Sequence, residues 1–78
     1  MQLPTHPGPV IRFHRKRAGL SRRELGLLAG LSQSSIYEVE HGKETARLDT
    51  ILKLLDALNI QMRFESPLMH AYREEAGK

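Results

Sequence analysis

The pattern of apolar and polar residues between Leu20 and Gly42 predicts two short helices joined by a tight turn. Within each segment, the apolar positions recur at the three- and four-residue intervals that place side chains on one face of a helix. Two helices of about eight residues bury little surface as an isolated pair, so other elements must hold them in place. The apolar positions are Leu25, Leu28 and Ala29 in the first segment, and Ile36 and Val39 in the second.

The residues at the ends of these two segments support the same prediction. Ser21 can cap the first helix, and Glu24 three residues later completes a capping box. Gly30 can adopt the left-handed conformation that ends a helix, Ser32 can cap the second helix, and Gly42 ends it. Such an arrangement is typical of the helix-turn-helix, whose second helix enters the DNA major groove. The first hypothesis is therefore a DNA-binding module.

Further helices are predicted on both sides of this unit. Gly8-Pro9 begins a helix that runs to about Ala18, because a proline in the first turn lacks only an N–H that the helix does not use. The segment Leu48–Leu58 carries a broad apolar stripe, with Asp49 as its predicted N-cap and Asn59 as its predicted C-cap. We expect this last helix to be the main packing platform of the domain.

The segment Ile60–Glu65 changes to the two-residue alternation of a half-buried strand. A lone strand leaves an unpaired edge, and the same strand of a second subunit is its simplest partner about a two-fold axis. Ile60, Met62 and Phe64 would then mediate dimerisation and face the core, where they can also cover Phe13, which lies off the stripe of the first helix. The alternatives are an irregular extended segment and a strand that pairs with a different protein.

These elements predict an all-α fold: a compact four- to five-helix, repressor-like helix-turn-helix domain with one C-terminal β-strand that pairs in a homodimer. Residues 1–8 form a flexible arm, 9–58 the helix-turn-helix DNA-binding domain, 59–65 the dimerisation strand, and 66–78 a C-terminal tail. The pair Ser66-Pro67 predicts a short helix in that tail.

Composition and charge narrow the function. A chain of 78 residues without cysteine makes one small domain with neither disulfides nor a thiolate zinc site, so either an unusually good helical core or a dimer must stabilise it. No apolar run approaches the roughly 20 residues of a membrane span, so we expect a soluble cytoplasmic protein. Residues 1–47 carry eight Lys/Arg against four Asp/Glu, whereas residues 48–78 carry four against five. This asymmetry predicts one surface for a polyanion and one for a different partner.

Catalysis is not expected. The sequence has no His-x-x-x-His pair, no phosphate-cradling glycine loop and no evident pair of catalytic carboxylates. We therefore predict no catalytic residue, no metal site and no cofactor. The basic residues Arg12, Lys16 and Arg17 of the first helix fit an ordinary solvated face.

The outward residues of the second helix of the motif are the candidates for reading bases, because a recognition helix presents its N-terminal outward side chains to base edges. They are Gln33, Ser34, Tyr37 and Glu38, each of which is otherwise an ordinary exposed polar residue. Helix N-termini bind anions, so phosphate contacts are predicted at the start of each helix of the motif and just beyond the second one. These candidates are Ser21, Arg22, Arg23, Ser32, Ser35, Lys43 and Arg47.

The combined spacing over about residues 10–58 resembles the Xre/Cro family of phage-repressor-type helix-turn-helix proteins. The resemblance implies a structural role for Arg15 and Glu40, because the corresponding residues of the family commonly form a partly buried ion pair between the first helix and the end of the recognition helix. The residues that carry it are Ile11-Arg12, Arg15, Gly19-Leu20-Ser21, Glu24-Leu25, Ala29-Gly30-Leu31-Ser32, Ile36, Glu40 and Gly42.

The run Thr45–Glu65, with ARLDTILKLLDALNIQMRFE at its centre, resembles the HipB-type antitoxins. This resemblance implies a repressor that binds operator DNA as a dimer, represses its own operon and binds a HipA-type serine/threonine kinase toxin. The alternative is a stand-alone, phage-repressor-type regulator without a toxin partner.

Overall fold

The computed structural model describes residues 6–77, which form five helices and no strand. These are α1 (Gly8–Arg17), α2 (Arg22–Ala29), α3 (Gln33–Glu40), α4 (Leu48–Ala57) and α5 (Met69–Ala76). The all-α, five-helix fold agrees with the predicted class. Most of the predicted arm, residues 1–5, lies outside the described residues.

Local capping explains why α2 and α3 begin where the sequence predicts. The Ser21 hydroxyl accepts a hydrogen bond from the Glu24 backbone N–H at 3.0 Å, and the Glu24 carboxylate accepts one from the Ser21 N–H at 3.0 Å. The Ser32 hydroxyl accepts from the Ser35 N–H at 3.1 Å. Between the two helices, Gly30 has φ +72°, a left-handed conformation that a side chain would strain. The turn of the motif therefore depends on this glycine.

The core lies where α2, α3 and α4 meet, with α1 packed against α3. Leu28, which the sequence pattern placed on the apolar face of α2, is exposed and not part of the core. The buried face of α2 runs instead through Leu25 and Gly26, and the Leu31 carbonyl oxygen lies so close to Gly26 that an added Cβ would be 2.5 Å from it. Helix α4 is the platform predicted from its stripe. The fully or almost fully buried apolar side chains are Ile11, Leu25, Ile36, Val39, Leu54 and Leu55.

The ends of α4 differ in part from the prediction. Asp49 is not the N-cap: the helix begins at Leu48, and the Arg47 backbone occupies the cap position without a capping side chain. Asp49 lies in the first turn, where its carboxylate accepts a hydrogen bond from the Thr50 N–H at 2.9 Å. Its negative charge there interacts favourably with the helix dipole. Asn59 follows the C-cap Leu58 with φ +58°, the left-handed conformation that closes many helices.

The predicted strand at Ile60–Glu65 is not formed: within residues 6–77 this segment has no regular secondary structure and pairs with no other strand. A strand requires a second edge, and this part of the chain offers none. Ile60 packs against the core, but Met62 and Phe64 are exposed, and 69% of the Phe64 surface is accessible to solvent. Phe13 is not covered by them: its ring contacts its own helix, with the Arg17 guanidinium 4.9 Å from the ring centroid.

Helix α5 projects from the rest of the molecule. It begins at Met69, slightly later than the pair Ser66-Pro67 predicted, and none of its residues is buried. The radius of gyration is 14.6 Å, against about 11.5 Å for a compact domain of this length. Within residues 6–77, no helix is long and apolar enough to cross a membrane.

Candidate nucleic-acid interface

One face of α3 carries the residues predicted to read bases. Ile36, Val39 and Glu40 are buried, so the opposite face of the helix points outward. Gln33, Ser34, Tyr37 and Glu38 are all exposed, and together with Arg22 of α2 they line an open groove of about 480 Å³. The structure therefore brings the four predicted residues to one surface.

The start of each helix of the motif carries predicted phosphate contacts. At α2, the Ser21 hydroxyl is engaged in the capping box, Arg23 is exposed and Arg22 is half-buried. At α3, the Ser32 hydroxyl caps the helix and also donates to the Ser35 hydroxyl at 2.9 Å. Both helix starts lie at the surface, so backbone N–H groups and exposed side chains are available to an anion there.

Two basic residues follow the recognition helix, and each has an acidic neighbour. The Lys43 ammonium lies 2.9 Å from the Glu38 carboxylate, and the Arg47 guanidinium lies 3.1 Å from that of Asp49. Both pairs are largely exposed and therefore contribute little to stability. Lys43 bonds only Oε2 of Glu38, and a carboxylate can accept several hydrogen bonds, so Glu38 can still accept one from a cytosine amino group.

A buried ion pair links α1 to the end of α3. The Arg15 Nε donates to the Glu40 carboxylate at 2.6 Å and its Nη2 donates to the other oxygen at 3.1 Å, while Nη1 donates to the Leu20 carbonyl at 2.9 Å. The Glu40 side chain has no exposed surface and that of Arg15 is 8% exposed. Such a bidentate contact fixes both the distance and the angle between the two helices.

Glu40 also binds a second arginine, which was not evident from the sequence. Arg22 Nε donates to Glu40 Oε1 at 3.1 Å, so that one carboxylate holds Arg15 on the inside and Arg22 at the groove. Burial by itself raises the pKa of Glu40. The hydrogen bonds and charges of Arg15, and then those of Arg22, outweigh this effect and hold the pKa below its ordinary value.

His41 is a further residue of this face that sequence reasoning missed. Its imidazole stacks on the Tyr37 ring, with centroids 3.8 Å apart and planes inclined by 20°. The His41 Nδ1–H donates to the Tyr37 carbonyl at 2.8 Å, and the Arg22 guanidinium lies 5.0 Å from the centroid of the Tyr37 ring. The four-residue spacing of Tyr37 and His41 was the available signal, because such residues are neighbours on a helix surface.

The base-reading and phosphate candidates adjoin one another, since Arg22 lies in the groove and Lys43 pairs with Glu38. The base-reading candidates share the groove with Arg22, and the phosphate candidates lie at the helix starts and in the α3–α4 connection. The dimerisation candidates Ile60, Met62 and Phe64 follow α4. No group of three or more His, Asp or Glu side chains gathers to hold a metal ion within the described chain.

Comparison with known proteins agrees with this geometry. A family model described as Helix-turn-helix matches residues 11–64. An uncharacterized HTH-type transcriptional regulator, y4mF of Sinorhizobium fredii, is 30% identical over 67 residues, covering 86% of this chain and 88% of that protein. The chain belongs to the helix-turn-helix family of DNA-binding transcription regulators.

Solved structures extend the likeness beyond the motif. The HipB chain of a complex with the 20mer O4 has a TM-score of 0.74 at 23% identity, covering 86% of this chain and 99% of that one. The HipA–HipB–O2–O3 complex gives the same values. The restriction-modification controller protein C.AhdI of Aeromonas hydrophila has a TM-score of 0.63 at 41% identity, covering 69% of this chain and 82% of that one. The fold is HipB-like.

Proposed function

We propose that this chain is a sequence-specific transcriptional repressor that binds operator DNA as a homodimer. The observation that carries this proposal is the groove in which Gln33 and Ser34 of α3 lie beside Arg22 of α2. An amide can bind adenine in a bidentate way, a hydroxyl can donate or accept, and a guanidinium suits guanine or phosphate. The eight Lys/Arg of residues 1–47 supply the charge that attracts the DNA backbone.

The ion pair of Arg15 and Glu40 supports this role, because a recognition helix must meet the groove at a fixed angle. With α3 tied to α1 at its C-terminal end, the base-reading residues stay on a rigid support. Ser21, Arg22 and Arg23 at the start of α2, Ser32 and Ser35 at the start of α3, and Lys43 and Arg47 beyond it would then contact phosphates on either side.

The exposed segment after α4 supports a dimer. Met62 and Phe64 leave apolar surface uncovered. Met62 also lines a shallow groove of about 380 Å³, together with Leu52, Leu55, Asp56 and Ile60. The same segment of a second chain would give Ile60–Glu65 the edge that it lacks and cover this surface. Two recognition helices would then meet half-sites about one helical turn, ~34 Å, apart.

The particular role proposed is that of the antitoxin in a HipBA-like operon, which represses its own promoter and binds a HipA-type kinase. The fold shared with HipB, which has been solved together with HipA, supports this choice. The alternative is a stand-alone regulator without a toxin. Over the region that matches the controller protein C.AhdI, the sequence identity is higher than to HipB, which favours that alternative.

One experiment tests whether the chain binds DNA in a sequence-specific way, as the proposed repressor must. The purified chain is used to select duplexes from a random-sequence pool, and its affinity for the selected duplex is measured at several salt concentrations beside a scrambled duplex. We expect preferential binding to the selected duplex, with affinity that falls steeply as salt rises. Equal affinity for both duplexes would contradict sequence-specific reading.

Two further measurements separate the finer roles. Sedimentation at micromolar concentration is expected to give a dimer, and a monomer would remove the argument for paired half-sites. Co-expression with a kinase encoded next to this chain tests the antitoxin. Copurification of the two supports it, whereas a neighbouring kinase that does not bind, or the lack of one, supports the stand-alone regulator.

A further inference from the structure

We propose that His41 is a positioning residue for DNA recognition: together with Arg22 it holds Tyr37 in one orientation, and so makes Tyr37 a specificity-determining contact. This inference rests on the proposed DNA-binding function. It concerns the stack of Arg22, Tyr37 and His41, which joins the start of α2 to the end of α3 across the candidate groove.

The geometry of the stack fixes the Tyr37 ring on its own helix. The imidazole of His41 and the phenol ring of Tyr37 are 3.8 Å apart and nearly parallel. The imidazole is itself fixed by its hydrogen bond to the Tyr37 carbonyl, one turn earlier in the helix. The ring of Tyr37 is therefore braced by its own helix as well as by Arg22.

Arg22 is itself anchored to the buried part of the molecule. Its Nε is bonded to Glu40, a carboxylate without exposed surface that also binds Arg15. The guanidinium over the Tyr37 ring is thus connected to the buried ion pair of the fold rather than to a mobile surface group. Through this connection, the rigid core sets the position of a side chain in the groove.

A Tyr37 ring that is already ordered lowers the entropic cost of binding DNA. A half-exposed tyrosine normally loses rotamer freedom when it contacts DNA, and this loss weakens the complex. A ring ordered before binding avoids that loss. Because stacking uses the face of the ring, the ring edge and the phenolic hydroxyl remain for a base edge, a thymine methyl or a phosphate oxygen.

The test uses the full chain and two duplexes: one selected by the wild-type protein from a random-sequence pool, and a scrambled duplex of the same composition. We expect His41→Ala to weaken binding to the selected duplex by roughly two- to tenfold, the range that one aromatic pair contributes. Binding to the scrambled duplex should stay unchanged. His41→Phe retains an aromatic ring for stacking and should restore most of the affinity.

His14 provides a matched control. Its Nδ1 makes the same kind of bond, to the Val10 carbonyl at 2.7 Å, but on α1 and outside the groove. His14→Ala should leave the affinity for both duplexes unchanged. Thermal unfolding of each variant checks that the fold is intact, and His41 is an exposed C-cap whose loss should leave the chain folded.

The outcomes are distinct. Equal weakening of His41→Ala on both duplexes, without rescue by His41→Phe, would mean that His41 contacts phosphate directly and would overturn the inference. Unchanged binding by His41→Ala would overturn it as well. If the wild-type chain selects no duplex, the proposed function itself fails. A second readout is independent of DNA: ring-current shifts on the His41 imidazole protons should disappear in Tyr37→Leu, and their persistence would contradict the stack.

Discussion

Removal of the Glu40 carboxylate should destabilise the protein more than removal of its partner Arg15. In Glu40→Leu, the Arg15 guanidinium remains buried with only the Leu20 carbonyl as a partner. In Arg15→Met, by contrast, the Glu40 carboxylate keeps Arg22 at 3.1 Å. Both substitutions remove the same ion pair. The carboxylate left in Arg15→Met keeps a charged partner, whereas the guanidinium left in Glu40→Leu does not.

The magnitude follows from this asymmetry. Removal of one partner of a buried ion pair costs about 3–5 kcal/mol, because the other charge is left in a poorly solvated site. We expect Glu40→Leu near the upper end of this range and Arg15→Met near the lower end. A chain of this length has a total stability of about 4–12 kcal/mol, so Glu40→Leu should lose much of it. The double variant should be more stable than Glu40→Leu alone, since neither charge is then stranded.

Urea unfolding followed by circular dichroism measures these differences, with the slope of the transition checked for each variant. Arg47→Met is a matched control, because the Arg47 side chain is 80% exposed and its pair with Asp49 should contribute at most about 1 kcal/mol. A loss in Glu40→Leu no larger than that of this control would refute the reasoning. A double variant that loses the sum of both single losses would refute it equally.

Three further predictions concern the interface, the motif and pH. Gln33→Ala should weaken binding to a selected duplex by about 1–3 kcal/mol at one base position, and equal loss on scrambled DNA would count against a reading role. Gly26→Ala should lower the melting temperature despite the better helix propensity of alanine, because the new Cβ would lie 2.5 Å from the Leu31 carbonyl oxygen; an increase would contradict this close approach. Stability should stay level from neutral pH to about pH 5 and fall below the unfolded glutamate pKa of about 4.3. The reason is that the folded-state pKa of both Glu40 and Glu24 is lowered, so each adds stability that protonation removes; urea midpoints that do not fall towards pH 3 would oppose it.

Features fixed by neighbouring residues were predictable from the sequence. The starts of α2 and α3 agree with the prediction because Ser21 and Ser32 cap groups only a few residues away. The predicted N-cap of α4 was wrong by two residues. Asp49 accepts a hydrogen bond from the adjacent N–H within the first turn instead of capping the helix. Local sequence therefore predicts that a helix forms better than it predicts the residue at which the helix begins.

Features that depend on distant residues were not predictable in the same way. Arg22 was assigned to phosphate from its place at the start of α2, whereas its bond to Glu40 joins residues 18 positions apart. Leu28 is exposed because the packing of α2 against α3 and α4 buries the face with Leu25 and Gly26 instead. The alternation at Ile60–Glu65 describes two faces of a segment, but a strand also needs an edge, which a single sequence does not supply.

Glu40 connects the stability of the domain to its candidate function. A buried carboxylate with one arginine partner is already enough to join α1 to α3, so a second partner at the groove is not required by the fold. Arg22 is partly exposed, where water would solvate its charge at little cost. Its retention by Glu40 therefore has its main effect on position: it limits where the guanidinium, and the Tyr37 ring beneath it, can lie. Because a contact that is ordered before binding loses less freedom in the complex, this arrangement favours discrimination between DNA sequences over general attraction to phosphate.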